Sequence, residues 1–298
     1  MRFIRDIYQE ARPTGRPVIS FEFFTPKTDE GEQSFYRNTL PRLAARSPDY
    51  CSVTYGAGGS TRDKTLAMVE RIQTEFRIPT MAHLTCVGSN REQILALLDE
   101  ARRRGIANIL ALRGDPPAGT GAFAAPEGGF TYAHELVSLL HQLGGFSVAV
   151  AGFPEGHLEC RAGRHQDWEH LKRKIDCGAD LVITQLFFDN DLFYEFRDHL
   201  VGRLGVAVPI VPGVMPILST SQINKFVALC GATVPLGVQR RLAERAHDDA
   251  ACAEFGVEFA TRQCEDLLRN GVPGLHFYTV NKAASTCRIL DNLGLNRV

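Results

Sequence analysis

The sequence predicts an α/β protein, a (β/α)8 TIM barrel in a single domain, and three observations support this. First, eight short apolar, β-branched or aromatic blocks recur along the 298 residues, at 18–24, 50–56, 80–87, 108–114, 147–153, 181–188, 209–216 and 275–280. Near-continuous apolar runs of this length are typical of strands buried on both faces, as in parallel sheets. Second, the segments between the blocks have helical periodicity. Third, the composition does not shift along the chain. Eight β-then-α units close most simply into a barrel, and a doubly wound open sheet is the alternative.

The segment before the first block predicts a helical cap over residues 1–16. It mixes arginines with Asp6 and Glu10 and has no apolar core, so it does not resemble a secretory signal. Apolar runs in the chain are shorter than the roughly 18–20 residues that cross a bilayer. We therefore expect a single catalytic domain over 1–298, beginning with a short amphipathic helix.

The segment between the third and fourth blocks predicts a helix with clear ends. Ser89 is a candidate N-cap, and Glu92 three residues later completes a capping-box pattern. Apolar residues follow at helical spacing, and Gly105 is a plausible stop. The interval before the eighth block is longer than the others and predicts two or three extra helices, one of them over 248–271.

Composition and charge exclude some functions. The chain is 44% hydrophobic and 22% charged, with a formal net charge of −1, so nothing indicates a nucleic-acid or membrane surface. Its eight cysteines are dispersed without a C-x-x-C pair, which favours free thiols in a reducing cytoplasm. We expect no metal site, because His165 and His170 lie five apart rather than at the i,i+4 spacing of a helical metal pair.

Polar residues interrupt or follow six of the predicted strands. In a barrel the chemistry lies at the C-terminal ends of the strands. Any one of these residues could be a hydrogen-bonded core group, but the shared position on six strands indicates a polar pocket at one end of the barrel. They are Glu22, Thr54 and Tyr55, His83 and Thr85, Arg113 to Asp115, Gln185, and the run with His276, Tyr278, Asn281 and Lys282.

Two further segments border this pocket. The glycine-rich 56–61 does not match G-x-G-x-x-G, so it is either a ligand loop or a plain turn. Residues 164–180 predict an amphipathic helix with Trp168, Leu171 and Ile175 on its apolar face. The polar face carries Asp167, His170 and Lys174 with Arg173 beside it. It is either a solvated face or a cradle for the sugar and phosphates of a nucleotide.

Seven motifs in order resemble the methylenetetrahydrofolate reductase family: SFEFFTPK, VTYGAGGSTRDKT, AHLTC, ILALRGDPP, HLKRKIDCGADLVITQLFFD, PGVMPI and LHFYTVN. The resemblance covers about residues 18–295. Because the chain ends soon after the eighth block, it is similar to the short bacterial form, which lacks the C-terminal regulatory domain of eukaryotic relatives. The family is an FAD-containing (β/α)8 barrel, so the resemblance implies a flavoprotein oxidoreductase in folate and one-carbon metabolism.

The implied reaction takes place in two halves. NADH or NADPH reduces non-covalently bound FAD and leaves, and 5,10-methylenetetrahydrofolate then binds in the same site and is reduced to 5-methyltetrahydrofolate for methionine synthesis. Glu22 matches the acid that protonates N10 as the folate ring opens, and an apolar setting would raise its pKa toward working pH. Asp115 matches the aspartate beside the flavin that binds the pterin ring.

The resemblance also assigns binding residues. The positions that match FAD contacts are Thr54, Tyr55, Ala57, His83, Arg113, Gly114, Asp115, Tyr132, Ala133, Phe153, His157, Asp167, His170, Arg173 and Lys174. The positions that match folate or nicotinamide contacts are Glu22, Asp115, Gln185, Gln222, Phe226 and Lys282. Three of these depart from the family pattern: Phe153 where Tyr is common, His170 where Asn is common, and Lys282 where Arg is usual.

Other interpretations remain open. A different FAD-dependent barrel, such as a proline dehydrogenase-like enzyme, or a non-catalytic pterin-binding barrel would share much of this pattern. The preference between NADH and NADPH, and the role of 118–130, are not indicated. The resemblance implies a homo-oligomer with small-molecule substrates and without nucleic-acid or membrane partners.

Overall fold

Parallel strands occupy all eight predicted positions and close into a barrel. The computed structural model describes residues 2–55, 62–115 and 125–295. In these residues the sheet order is β7-β6-β5-β4-β3-β2-β1-β9-β8. The strands are β1 Val18–Phe23, β2 Tyr50–Val53, β3 Thr80–Thr85, β4 Asn108–Leu112, β5 Ser147–Gly152, β6 Leu181–Thr184, β7 Ile210–Val211, β8 Gly213–Val214 and β9 Gly274–Tyr278.

The predicted seventh strand is broken into β7 and β8 at Pro212. β7 pairs with β6 and β8 pairs with β9, so the broken strand closes the sheet and the open-sheet alternative is wrong. Proline has no backbone N–H to donate to a neighbouring strand. Its carbonyl accepts from the backbone N–H of His276 at 3.0 Å, which continues the pairing toward β9.

Helices follow the strands, as the sequence predicts. Their bounds are α1 Ile4–Ala11, α2 Asp29–Ser34, α3 Leu40–Ala44, α4 Arg62–Glu75, α5 Arg91–Arg103, α6 Ala133–Leu143, α7 Arg164–Asp176, α8 Asn190–Asp198, α9 Thr220–Cys230, α10 Leu236–Ala243, α11 Asp249–Arg269 and α12 Ala283–Asn292. Among the described helices, none is long and apolar enough to cross a membrane.

Strand alternation divides the core into an outer and an inner layer. Ile19, Phe21 and Phe23 of β1 pack outward into the large cluster shared with the helices. Val18 joins the barrel interior. Since side chains alternate along a strand, Ser20 and Glu22 lie on the same inner face as Val18.

Helix α1 closes the N-terminal end of the barrel. Ile4, Ile7, Tyr8 and Ala11 pack against inward residues at the beginnings of the strands. The backbone N–H of Ile4 donates to Asn108 Oδ1 at 2.9 Å, and that of Arg5 donates to Ser147 Oγ at 3.1 Å. These contacts satisfy amides that a helix leaves unpaired at its start. The C-terminal ends of the strands are therefore the end of the barrel where a pocket can form.

Two predicted details of the helices have different outcomes. The N-cap of α5 is Asn90 with Gln93 as its capping-box partner, so the prediction of Ser89 and Glu92 is wrong by one residue. Ser89 is buried instead. The predicted extra helices before the last strand are α9, α10 and α11, which pack on Met215 and Ile217 through their own apolar cluster.

Candidate active site

Glu22 lies inside the barrel and is surrounded by polar side chains from three neighbouring strands. It is only 6% exposed. Its Oε2 lies 3.3 Å from His276 Nε2 on β9 and 3.4 Å from the donating Ser52 Oγ on β2. His83 Nε2 on β3 also lies 3.3 Å away, without the alignment of a hydrogen bond. The carboxyl group is thus the centre of a buried acid–base cluster.

The two histidines set the pKa of Glu22. Burial is the largest influence and raises it, but the charge of His83 and the hydrogen bond and charge of His276 together outweigh burial and lower the pKa to about 2. The expectation that an apolar setting raises this pKa is therefore wrong, because polar side chains occupy the space around the carboxylate. The two histidines therefore favour the ionised form of the Glu22 carboxyl group.

Ser20 extends this cluster along the barrel interior. Its Oγ lies 2.8 Å from His276 Nδ1, while His276 Nε2 faces Glu22. Which of Ser20 and His276 donates in this contact depends on the tautomer of the imidazole ring. The roles of Ser20 and Ser52 were not evident from sequence, although Ser20 stands two residues before Glu22 and so shares its face of the strand.

The turn after β9 holds the end of β1 in place. Val280 and Asn281 both have positive φ, +51° and +54°, a conformation that is costly for a β-branched residue. Asn281 accepts from the backbone N–H of Phe24 at 2.9 Å and donates to its carbonyl at 2.8 Å. This strained turn fixes the backbone two residues beyond Glu22.

Residues after β3 and β4 approach each other closely at the barrel mouth. Gly114 has φ +87°, and a Cβ there would lie 2.7 Å from Val87 Cγ1 and 2.9 Å from Thr85 Cβ. Only glycine fits this position. Arg113 pairs with Glu159 beyond β5 at 2.6 Å. Asp115 is exposed and directly precedes residues 116–124, which lie outside the described residues.

Helix α7 presents the predicted polar face beside the mouth. Its apolar residues Trp168, Leu171 and Ile175 are buried, as predicted. Burial raises the pKa of the half-buried Asp167 although Lys174 opposes this. The Lys174 ammonium donates to the carbonyl of Ala151 at the end of β5 at 2.7 Å, and burial lowers its pKa to about 8.

The loop after β5 packs against this helix. The Phe153 carbonyl accepts from Trp168 Nε1 at 3.0 Å, and the Phe153 ring lies edge-on to His157 with centroids 4.7 Å apart. On α7 itself, His170 and Arg173 are exposed. The predicted FAD contacts of β5 and α7 therefore lie around one connection between strand and helix.

The predicted folate contacts lie on several elements at the mouth. The Phe226 ring on α9 lies 6.3 Å from that of Phe24, just beyond Glu22. Gln222, one turn earlier, accepts from Leu218 N at 2.7 Å. Gln185 follows β6 and is half-buried, whereas Lys282 is exposed at the start of α12.

The remaining predicted FAD contacts have less defined surroundings. The half-buried Thr54 follows β2, and its carbonyl accepts from Thr25 and Thr65 hydroxyls at 2.9 and 3.1 Å. Tyr55, the next residue, is half-buried. Tyr132 is 57% exposed before α6, and Ala133 begins that helix. Ala57, the glycine-rich 56–61 and most of 118–130 lie outside the described residues.

One group of metal-type ligands occurs in the described part of the chain. Ligand atoms of Cys160, Asp167 and His170 lie within 4.8 Å of one another. Lys174 nevertheless acts on Asp167, and a cation there competes with any metal ion. All eight cysteines are free thiols.

The strands form a closed α/β barrel with a buried acid–base cluster inside it and a cationic helix face beside its mouth. This is the architecture of a barrel enzyme. The chain belongs to the methylenetetrahydrofolate reductase family, whose sequence profile matches residues 6–294.

Individual relatives agree with this assignment. The chain is 36% identical to 5,10-methylenetetrahydrofolate reductase of Escherichia coli strain K12, over 96% of the chain and 93% of that relative. It is 39% identical to "Methylenetetrahydrofolate reductase (NADH) 1" of Zea mays over 96% of the chain, and it spans 50% of that longer protein. A Clostridium thermocellum protein described as binding two copies of 5-methyl-5,6,7,8-tetrahydrofolic acid has a similar fold, with a TM-score of 0.63 at 14% identity over 97% of this chain and 98% of its own.

Proposed function

We propose that this protein reduces 5,10-methylenetetrahydrofolate to 5-methyltetrahydrofolate, with NADH or NADPH as the hydride donor and FAD as the non-covalent cofactor. The observation that carries the proposal is the buried Glu22 carboxyl between His83 and His276, in a chain of this family. The C. thermocellum protein of similar fold is described as binding 5-methyl-5,6,7,8-tetrahydrofolic acid, which agrees with a folate substrate.

The residues at the mouth fit a flavin nucleotide. Thr85 Oγ1 and His83 Nε2 are buried polar atoms without a hydrogen-bond partner among the described residues, so both can bond to a polar ligand there. Lys174 and Arg173 provide cations for a diphosphate, and Gly114 permits a close backbone approach. Bound FAD would supply the hydride chemistry, and the protein would orient it and keep water away.

The substrate would bind at the mouth among the predicted folate contacts. Phe226 offers an aromatic surface for a flat ring, and Gln185 and Gln222 offer amides for its polar edge. Asp115 would bind the pterin ring, and Lys282 would neutralise a carboxylate of the folate tail. Lys282 does so without the bidentate fork of an arginine.

The acid–base cluster supplies the proton that ring opening requires. Protonation at N10 breaks a carbon–nitrogen bond of the five-membered ring, and the group that delivers the proton must be near the substrate and protonated at working pH. Glu22 would be the group that touches the substrate. His276 and His83 would hold the proton jointly with it, because Glu22 alone is too acidic to retain one.

The purified protein offers a direct test of this function. We expect a yellow protein whose flavin absorbance is bleached anaerobically by NADH or NADPH and restored by methylenetetrahydrofolate, with 5-methyltetrahydrofolate as product. Bleaching of the flavin by proline instead of by NADH or NADPH would favour the proline dehydrogenase-like alternative. A colourless protein that takes up no FAD but binds pterins would favour the non-catalytic barrel.

Two finer points belong to the same proposal. Reduction rates with NADH and with NADPH in a stopped-flow instrument would establish the preferred donor. We also expect a cytoplasmic protein that forms a homo-oligomer. Sedimentation of the purified protein would test the oligomeric state.

A further inference from the structure

The Tyr278 side chain crosses the gap that the strand break at Pro212 leaves between β6 and β9. β7 pairs with β6 before the break, and β8 pairs with β9 after it. The Tyr278 hydroxyl on β9 donates to the carbonyl of Thr184, the last residue of β6, at 2.6 Å. The backbone N–H of Gly213 donates to Thr184 Oγ1 at 2.9 Å. Tyr278 therefore connects two strands that the broken strand separates.

The absence of a side chain at Gly213 makes this contact possible. A Cβ at position 213 would lie 2.5 Å from Tyr278 Cε2 and 2.4 Å from the Thr184 carbonyl oxygen. Either the ring or the carbonyl would have to move, and the carbonyl belongs to the backbone. Glycine at position 213 therefore allows the Tyr278 ring to reach the end of β6.

The direction of the Tyr278–Thr184 hydrogen bond is settled by its partners. A carbonyl oxygen can only accept, so the hydroxyl donates. Burial raises the pKa of Tyr278 well above its ordinary value, and the Glu22 carboxylate acts in the same direction. The phenol therefore keeps its hydrogen at neutral pH, and 2.6 Å lies within the range of O–H···O hydrogen bonds.

The peptide group that Tyr278 contacts is held from both sides. The carbonyl of Thr184 and the N–H of Gln185 belong to one planar peptide group. Tyr278 donates to that carbonyl, and the N–H donates to the Gly152 carbonyl at the end of β5 at 2.7 Å. Because the Cα of Gln185 lies in the same plane, the two hydrogen bonds fix where its side chain begins.

The half-buried Gln185 side chain offers a donor to a ligand. Its Oε1 accepts from the backbone N–H of Leu186 at 2.8 Å. A backbone N–H can only donate, so this contact distinguishes the oxygen of the amide from its NH2 group. Among the described residues, the NH2 group has no hydrogen-bond partner. An acceptor on a ligand at the mouth can therefore bind to it.

We propose that Tyr278 is a positioning residue for Gln185: it holds the Thr184–Gln185 peptide group so that the Gln185 NH2 group donates to an acceptor of the pterin ring. The inference rests on the proposed function for the substrate contact of Gln185. Tyr278 is also paired with Glu22 across β1 and β9. One strand pair therefore carries the candidate acid and the residue that positions the substrate contact.

A double-mutant cycle tests this role, because a positioning residue acts only while the residue it positions is present. The measured quantity is the dissociation constant of 5-methyltetrahydrofolate from the oxidised FAD-bound protein, read from the flavin absorbance. We expect Tyr278→Phe, which removes only the hydroxyl, to weaken binding about three- to tenfold. In a Gln185→Ala background the same substitution should change binding by less than about twofold.

The matched control is Tyr194→Phe, which removes a hydroxyl hydrogen bond of the same length, 2.6 Å, from Tyr194 on α8 to Asp266 on α11. We expect it to leave folate binding unchanged. Equal binding in Tyr278→Phe and Tyr194→Phe would overturn the proposal. An equal loss from Tyr278→Phe with and without Gln185 would also overturn it, because general damage to the fold would explain that result.

A measurement without folate separates this inference from the proposed function. In protein labelled with ¹⁵N-glutamine, Gln185→Ala assigns the backbone and side-chain signals of Gln185. We expect Tyr278→Phe to shift these signals and Tyr194→Phe to leave them in place. Unshifted signals in Tyr278→Phe would overturn the inference, whereas a wild-type protein that binds FAD but no folate would contradict the proposed function.

Gly213→Ala provides a second variant if Tyr278→Phe does not fold. The added Cβ must displace the Tyr278 ring or the Thr184 carbonyl, although both bonding groups remain in the chain. We expect it to shift the same Gln185 signals. A folded Gly213→Ala protein with wild-type Gln185 signals would contradict the inference.

Discussion

The acidity of Glu22 depends on residues that are distant in sequence. His83 and His276 come from β3 and β9, and each places a ring nitrogen 3.3 Å from the carboxylate. Without them, burial would hold the carboxyl protonated. With them, the ionised carboxylate is the favoured form, and the pKa of Glu22 falls to about 2.

Lys174 gives a prediction for stability at this scale. Burial lowers its pKa from 10.5 to about 8, so the unfolded chain binds more protons than the fold between these pH values. The charged form therefore destabilises the fold below pH 8, and this penalty disappears as the pH rises to 10.5. We expect Lys174→Met to raise the free energy of unfolding at pH 7 by about 1–3 kcal/mol and to weaken FAD binding about tenfold.

Lys172→Met is the control for this prediction, since Lys172 pairs with Asp176 on the solvent side of the same helix. We expect it to change the free energy of unfolding by less than about 0.5 kcal/mol. Urea unfolding at pH 7 and at pH 10 measures both variants. A destabilised Lys174→Met protein at pH 7, or a gain that does not shrink with pH, would contradict the account.

Among the elements, the three extra helices depend on close packing at one glycine. Gly256 on α11 lies against Ile217, which follows β8. A Cβ at position 256 would be 2.0 Å from the Ile217 carbonyl oxygen. The neighbour is backbone and cannot turn aside. The helix therefore approaches the barrel as closely as it does because position 256 has no side chain.

This packing predicts opposite effects of one substitution at two sites. We expect Gly256→Ala to lower the free energy of unfolding by about 1–3 kcal/mol, because α11 must shift away from Ile217. Gly237→Ala on α10 meets nothing within 4 Å and should raise it by about 0.5–1 kcal/mol through helix propensity. Thermal unfolding compares the two, and equal effects would show that the contact with Ile217 has no energetic weight.

Helices and strands were predicted correctly where an apolar pattern continues over many residues. The prediction failed where a single residue sets the end of a helix or a break in a strand. The eight strand positions and the buried face of α7 followed from apolar patterns. The start of α5 was misplaced by one residue because Ser89 and Asn90 are both acceptable caps, and only the backbone geometry selects Asn90. The break at Pro212 was not anticipated, since the apolar run around it is continuous.

The whole molecule is a barrel closed at one end by α1, with the candidate active site at the other. Ile7 is completely buried beneath the strands, at the end of the barrel opposite Glu22. The polar mouth was predictable because strand ends share one edge of the barrel. The Ser20 and His276 contacts were not predictable, because they depend on the register between β1, β2 and β9.

The closure by α1 gives a prediction for global stability. We expect Ile7→Ala to lower the free energy of unfolding by about 2–5 kcal/mol, because it leaves a cavity in the interior cluster. Leu236→Ala, at a position that is 70% exposed, should have almost no effect. Urea unfolding measures both, and the rate of flavin reduction should be the same in both folded variants. An unchanged midpoint in Ile7→Ala would mean that α1 does not stabilise the barrel.

The central claim is that Glu22 delivers the proton for folate reduction. The reduction of the flavin by the pyridine nucleotide does not require Glu22. Anaerobic stopped-flow measurement of both half-reactions in the wild type and in Glu22→Gln tests it most directly. The account predicts that Glu22→Gln keeps its flavin, is reduced by NADH at a similar rate, and loses reoxidation by methylenetetrahydrofolate by at least about 10²-fold. Normal reoxidation by the folate in Glu22→Gln would contradict it.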